Sequence, residues 1–271
     1  MPKETEAQRP TRYCNFAALF VSADCDFRAR EVVEIFASAF ETMGDEVDRI
    51  RLQPAVGRVQ TMSLENFRKT TEIHDSDWTN IWVRPRSERG KRLNMWLSAG
   101  IGFNYTRSHR TLFLGMPAKD SNSADTLHGH WWSSAVSKLK VTYGFGFERR
   151  YGHGPEYFVM GIDYSELTEP DNNVDQGLVR LWAHDRQGDL HDNDRYRFER
   201  GKILAVFPLN LLTTRHLNNS VGSKTLREWI LSDEDFGDLR NIGNDRFVWA
   251  VPKYKCQDIT KFLSGEGLCL V

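Results

Sequence analysis

A chain of 271 residues is long enough for one large domain or two small ones, and it needs no disulfide or metal to replace a missing core. Its 40% hydrophobic and 27% charged residues are ordinary for a globular protein. With 36 Lys plus Arg against 37 Asp plus Glu the net charge is −1, so it lacks the bulk positive charge of a dedicated phosphate binder, although local charge blocks keep their meaning.

Residues 1–12 are polar and mixed in charge, without the apolar centre of a signal peptide, and are expected to form a disordered leader. No run of about 18 apolar residues occurs, so no membrane-spanning helix is expected and the simplest location is the cytoplasm. None of the four cysteines, Cys14, Cys25, Cys256 and Cys269, lies in a C-x-x-C pair, and no disulfide framework is expected. Cys25 sits between Asp24 and Asp26, whose charge disfavours a reactive thiolate.

The apolar run 15–22 predicts a buried strand. Asp24 or Asp26 is the candidate cap of a helix whose apolar stripe, Val32, Val33, Ile35, Phe36, Ala39, Phe40 and Met43, stops at Gly44. Alternation over 47–52 predicts a half-buried strand, and 63–70 a short helix. Strands follow at 78–83, 93–105 and 110–116, with a bulge or bend expected at Gly100 and Gly102.

Leu127, Trp131, Trp132, Ala135, Val136 and Leu139 recur at helical spacing over 126–141. Strands are expected at 156–163 and 177–183, with a polar loop over 165–175, then an apolar run over 202–212 broken at Pro208. Ser223 or Thr225 is the candidate cap of a helix to Leu231, and Thr225 with Glu228 fits a capping box. A strand at 247–251, a short helix at 258–263 ending at Gly265, and a last strand at 268–271 complete the chain.

This order predicts an α+β protein with a mixed or largely antiparallel sheet and helices packed on one face. Similar element order in both halves also allows two small α+β units, 13–120 and 121–271, divided at the polar stretch 119–125, or one continuous domain.

Motifs for chemistry are sparse. His128-Gly-His130 opens a predicted helix, where residues two apart diverge; His184, Asp185 and His191 are further metal-ligand candidates, but no metal-binding spacing is present, and no metal is expected. Tyr143-Gly-Phe-Gly-Phe147 lacks the third glycine and the strand-to-helix context of a dinucleotide turn, and neither a P-loop nor a G-x-S-x-G elbow occurs. No cofactor is expected, and the balance leans away from an enzyme.

Charge is segregated. Arg84, Arg86, Arg89, Lys91 and Arg92 fall within nine positions opposed only by Glu88, whereas residues 163–194 hold nine acids against two arginines. Trp82 and Trp96 flank the basic stretch, and Arg beside Trp is the composition of binding hot spots. The expectation is a non-enzymatic protein-binding module, of the kind found among bacterial immunity or defence-system accessory proteins, that meets a charged partner through these seven residues. The alternative is nucleic-acid binding or metal-dependent processing, with the basic hairpin on phosphate and tryptophans on bases.

Overall fold

The computed structural model describes residues 13–22, 24–25, 28–42, 44–70, 78–86, 96–104, 107–117, 121–159, 198 and 200–270. Their centre is β1 (Tyr13–Val21), whose residues 16–21 are buried on both faces of the sheet. It is the apolar run read from the sequence, and its two buried faces explain why that run does not alternate.

β1 is flanked by β6 (Arg107–Pro117) and β7 (Val141–Arg150), both antiparallel. Beyond β6 lie β5 (Trp96–Asn104), β4 (Trp78–Pro85), β2 (Val47–Pro54) and the short β3 (Gln60–Met62). Beyond β7 lie β8 (Leu209–Thr213), β12 (Arg246–Ala250) and β11 (Asp238–Gly243). The result is a ten-stranded sheet in which every pairing is antiparallel, within an α+β fold.

On one face, α1 (Ala29–Thr42), α2 (Leu64–Lys69) and α3 (Ser121–Lys138) bury Phe36, Phe40, Phe67, Trp131 and Trp132 against odd-numbered residues of β1 such as Ala17 and Leu19. The end of α1 is set by Gly44 at φ +71, a conformation that side chains resist. Ser63 caps α2, its hydroxyl accepting from the Asn66 N–H at 3.2 Å.

The other face of β1, β7, β8 and β12 is covered by α4 (Pro155–Val159), the extended stretch 203–207, α5 (Thr214–Leu217), α6 (Leu226–Ile230) and α7 (Cys256–Gly265). The capping box expected at α6 is present: Thr225 Oγ1 accepts from the Glu228 N–H, and the Glu228 carboxylate accepts from the Thr225 N–H at 2.8 Å. A hairpin, β9 (Ser220–Val221) with β10 (Lys224–Thr225), precedes it.

Several local expectations differ. Residues 155–159 are helix α4 instead of strand, with Pro155 at the first helical position, where a missing N–H costs nothing; residues 160–163 and the strand expected at 177–183 lie outside the described residues. Asp24 caps no helix. Its carboxylate holds the Lys140 ammonium at 2.5 Å and accepts from Ser22, which lowers its pKa to about 2, and α1 begins five residues later; Asp26 is outside the described residues.

No bulge interrupts the β5–β6 ladder at Gly100 or Gly102, since its register runs unbroken from Trp96 opposite Gly115 to Asn104 opposite Arg107. The last segment makes one parallel bridge, Ile203 to Cys269, in place of a strand. β7, β11 and β3 had no counterpart among the predicted elements. None of the four cysteines is in a disulfide.

Two buried polar side chains stitch the second face. Asn210 accepts from the Phe207 N–H at 3.0 Å and donates to the carbonyls of Phe207 and Trp249 at 2.6 and 3.3 Å, closing the turn at Pro208. Leucine there would strand three backbone groups, so Asn210→Leu is predicted to cost about 2–4 kcal/mol in urea unfolding.

His216 Nδ1 accepts from the Thr213 N–H at 3.2 Å, which leaves Nε2 to donate to the Lys202 carbonyl at 3.1 Å. Burial lowers its pKa from 6.5 to about 4. Between those values the unfolded chain binds a proton that the folded chain refuses. Stability should therefore be intact above pH 6.5 and fall by up to about 3 kcal/mol as pH drops toward 4. Urea midpoints across that range test this, with His216→Gln expected to flatten the slope.

Candidate functional site

The predicted basic block divides. On the β2–β4 ladder Arg49 stands opposite Arg84, and Arg51 opposite Trp82. Residues directly opposed in an antiparallel pair share a face, so these four side chains point the same way, away from the buried Ile50, Leu52, Ile81 and Val83.

The Arg51 guanidinium lies 5.4 Å from the Trp82 ring centroid, and Trp82 is half-buried. Arg84 is exposed and pairs with no carboxylate among the described residues, where Arg49 reaches its neighbour Asp48, at 3.8 Å. Like charges opposed across a ladder repel by roughly 0.2–1 kcal/mol, a cost that an incoming anion would reverse.

Arg86 does not join this face: its guanidinium is paired with the Glu46 carboxylate at 2.6 Å and its N–H with the Glu46 carbonyl. Trp96 is placed by its backbone at the start of β5. Arg89, Lys91 and Arg92 lie outside the described residues, as does the acidic stretch 163–194.

Of the metal candidates, His128 and His130 lie on α3, two positions and therefore roughly 200° apart around the axis, and His130 is exposed. His184, Asp185 and His191 lie outside the described residues. Among the described residues no group of three or more His, Cys, Asp or Glu side chains converges on a metal position.

A second surface, absent from the sequence reading, lies at the far end of the sheet. Ala17, Gly146, Leu209, Ala250 and Asp238 form one row across β1, β7, β8, β12 and β11, and the row next to it pairs Asn15 with Glu148. The neighbouring row on the other side, Leu19, Gly144, Leu211 and Val248, belongs to the core that α3 covers. Beyond it the small side chains leave an open cleft of about 710 Å³ with Gly146, Leu209 and Ala250 as its floor.

The rim is charged. Glu148, Glu234 and Asp238 supply three carboxylates, and Lys253 one ammonium, which is 3.0 Å from Glu148. Asn15 Nδ2 is buried in the wall and has no hydrogen-bond partner among the described residues. Among the described residues the lining offers carboxylates, one ammonium and an amide side chain to a charged or hydrogen-bonding group.

Glu234 and Asp238 are held by a 3-10 turn, Glu234–Phe236, clamped to β12. Trp249 Nε1 donates to the Phe236 carbonyl at 2.7 Å, and Lys255 pairs with Asp235 at 2.7 Å. Gly237 has φ +96, and a Cβ there would sit 2.0 Å from the Ala250 carbonyl oxygen. Behind the same turn, Phe236, Trp229 and Phe262 stack in parallel at 3.9 and 5.3 Å between centroids, with Phe262 46% exposed and Leu231 64% exposed.

Two sequence signals pointed to this cleft. Asp233-Glu-Asp-Phe-Gly-Asp238 places four acids in six positions, and the glycine–aromatic alternation of 143–147 is the pattern of a strand with one bare face. The first is short beside the longer acidic stretch, and the second resembled a failed nucleotide loop.

No protein-family model matches the chain, and no curated protein matches it. Among solved structures, the Pseudomonas aeruginosa T6SS protein PA0821 is similar in fold: the two superpose with a TM-score of 0.55 over 95% of this chain and 77% of that one, at 10% sequence identity. The shared fold is the extent of that likeness. No helix among the described residues is long and apolar enough to cross a membrane.

Alanine at position 237 must either leave the left-handed region or push the turn off β12. Gly237→Ala is predicted to lower stability by about 2–4 kcal/mol, measured by chemical denaturation. A midpoint equal to that of the wild type would mean that the turn is not clamped.

Proposed function

We propose that this protein is a non-enzymatic protein-binding module that recognises a charged macromolecular partner, in the manner of a bacterial immunity or defence-system accessory protein. The observation that carries this reading is the open β2–β4 face. Arg49 and Arg84 are opposed there with no bridging carboxylate among the described residues, beside Arg51 stacked on Trp82. A protein leaves such a repulsive pair uncovered at some cost in stability, and a complementary acidic surface offsets that cost while speeding encounter. The half-buried Trp82 supplies the rigid apolar anchor typical of a contact centre.

The solved structure of similar fold is described as a T6SS protein, which is compatible with a bacterial interaction or immunity-type module. Trp96 and the remaining basic residues, Arg89, Lys91 and Arg92, extend the same interface in this proposal. Arg86, already paired with Glu46, contributes less. Compared with nucleic-acid binding, the protein-partner reading is favoured by the near-neutral net charge.

The wild type is expected to retain one protein in near-stoichiometric amount from its own cell lysate. Arg51→Glu with Arg84→Glu should weaken that complex at least about tenfold without changing the melting temperature, with a steep salt dependence. Capture unaffected by the double reversal would overturn the assignment of the face. Retention on a single-stranded oligonucleotide at low salt, lost in the same variant, would replace the protein partner with nucleic acid.

A further inference from the structure

We infer that the acidic cleft at the β11 end of the sheet receives an extended, Lys- or Arg-bearing segment of a protein partner. This is a second contact, separate from the β2–β4 face. Three features point to that occupant together.

The first is shape. Gly146 and Ala250 project little or nothing into the cleft, so a ligand backbone can approach the sheet closely along a floor completed by Leu209, Pro208 and Val251. The floor spans β7, β8 and β12, a width that suits a few residues of extended chain better than a compact molecule.

The second is charge. Among the described residues three rim carboxylates face one ammonium, and Lys253 is already matched to Glu148, which leaves Glu234 without an ion pair there and Asp238 beside its strand neighbour Arg240 at 3.4 Å. Both lie on the clamped turn or directly after it, so they are presented with little freedom to lose on binding. A guanidinium or ammonium seated between them gains charge-assisted hydrogen bonds.

The third is the polar wall. Asn15, half-buried, lines the cleft opposite Glu148, so an extended segment lying there meets an amide side chain as well as carboxylates.

The test uses the full chain and two fluorescein-labelled hexapeptides, alternating Ala-Arg and alternating Ala-Glu, titrated by fluorescence anisotropy. The Ala-Arg peptide is expected to bind and the Ala-Glu peptide not to bind. Glu234→Gln with Asp238→Asn, both on the exposed rim, should weaken binding about tenfold, whereas Lys253→Gln should strengthen it. Ala250→Leu, which fills the floor without altering charge, should also weaken it, and melting curves confirm that each variant is folded.

The charge reversals at Arg51 and Arg84 should leave this binding unchanged, so the two surfaces succeed or fail separately. Ala250→Leu binding as tightly as the wild type would place the peptide elsewhere and overturn the inference. Competition by spermine at the same concentration as the peptide would overturn it too, because the site would then respond to charge alone.

Discussion

The seam between β1 and β7 is the contact on which both halves of the sheet depend. Gly144 in β7 sits so close to β1 that a Cβ would meet Leu19 Cδ2 at 2.5 Å and the Ala18 carbonyl at 2.8 Å. The aromatic residues that alternate with these glycines, Tyr143, Phe145 and Phe147, all project to the opposite face. There Tyr143 and Phe145 stack on Phe198 and Phe207, and Phe147 packs at a tilt against Phe158. One strand is thus bare on one side and densely aromatic on the other, and this asymmetry sets the character of the two layers. The aromatic side takes the C-terminal helices as its cover, and the bare side admits Leu19 and Leu211 at one row and opens as the acidic cleft at the next.

Because the sheet is continuous, its two charged surfaces are held at a distance from one another. The arginine–tryptophan face lies on β2 and β4, near one end of the strand order, and the carboxylate rim lies on β7, β11 and the turn before β11, near the other. They also lie on opposite faces: Ile50 and Val83 share the core with Leu19, so Arg49 and Arg84 point away from the side on which Gly146 and Ala250 lie. Among the described residues the positive and the negative patch are thus kept apart, in a chain of nearly zero net charge.

Much of the secondary structure was legible because its signals are local. Helix α1 announces itself by period and by Gly44, α6 by the Thr225–Glu228 box, and β1 by an uninterrupted apolar run. The failures were also local in origin. β7 reads Tyr-Gly-Phe-Gly-Phe, and glycine weighs against a strand unless a neighbouring chain needs the space that it leaves, which here is Leu19 of β1. Asp24 had the chemistry of a cap, but Lys140, more than a hundred residues away, claims it. Of the expected partner-binding residues, Trp82 and Arg84 came to lie on one open face, whereas Arg86 was drawn into a pair with Glu46.

Composition and period were enough to specify an α+β chain with a core of its own, the positions of its clearest helices and the presence of a basic, tryptophan-flanked stretch, since each of these is a property of a few adjacent residues. Which charges remain available, and that a floor of Gly146 and Ala250 should meet Glu234 and Asp238, emerged only on folding. Asp238 and Ala250 are hairpin neighbours, but Gly146 reaches them only through Leu209 of β8, dozens of residues along the chain, and no short window of sequence holds the whole row.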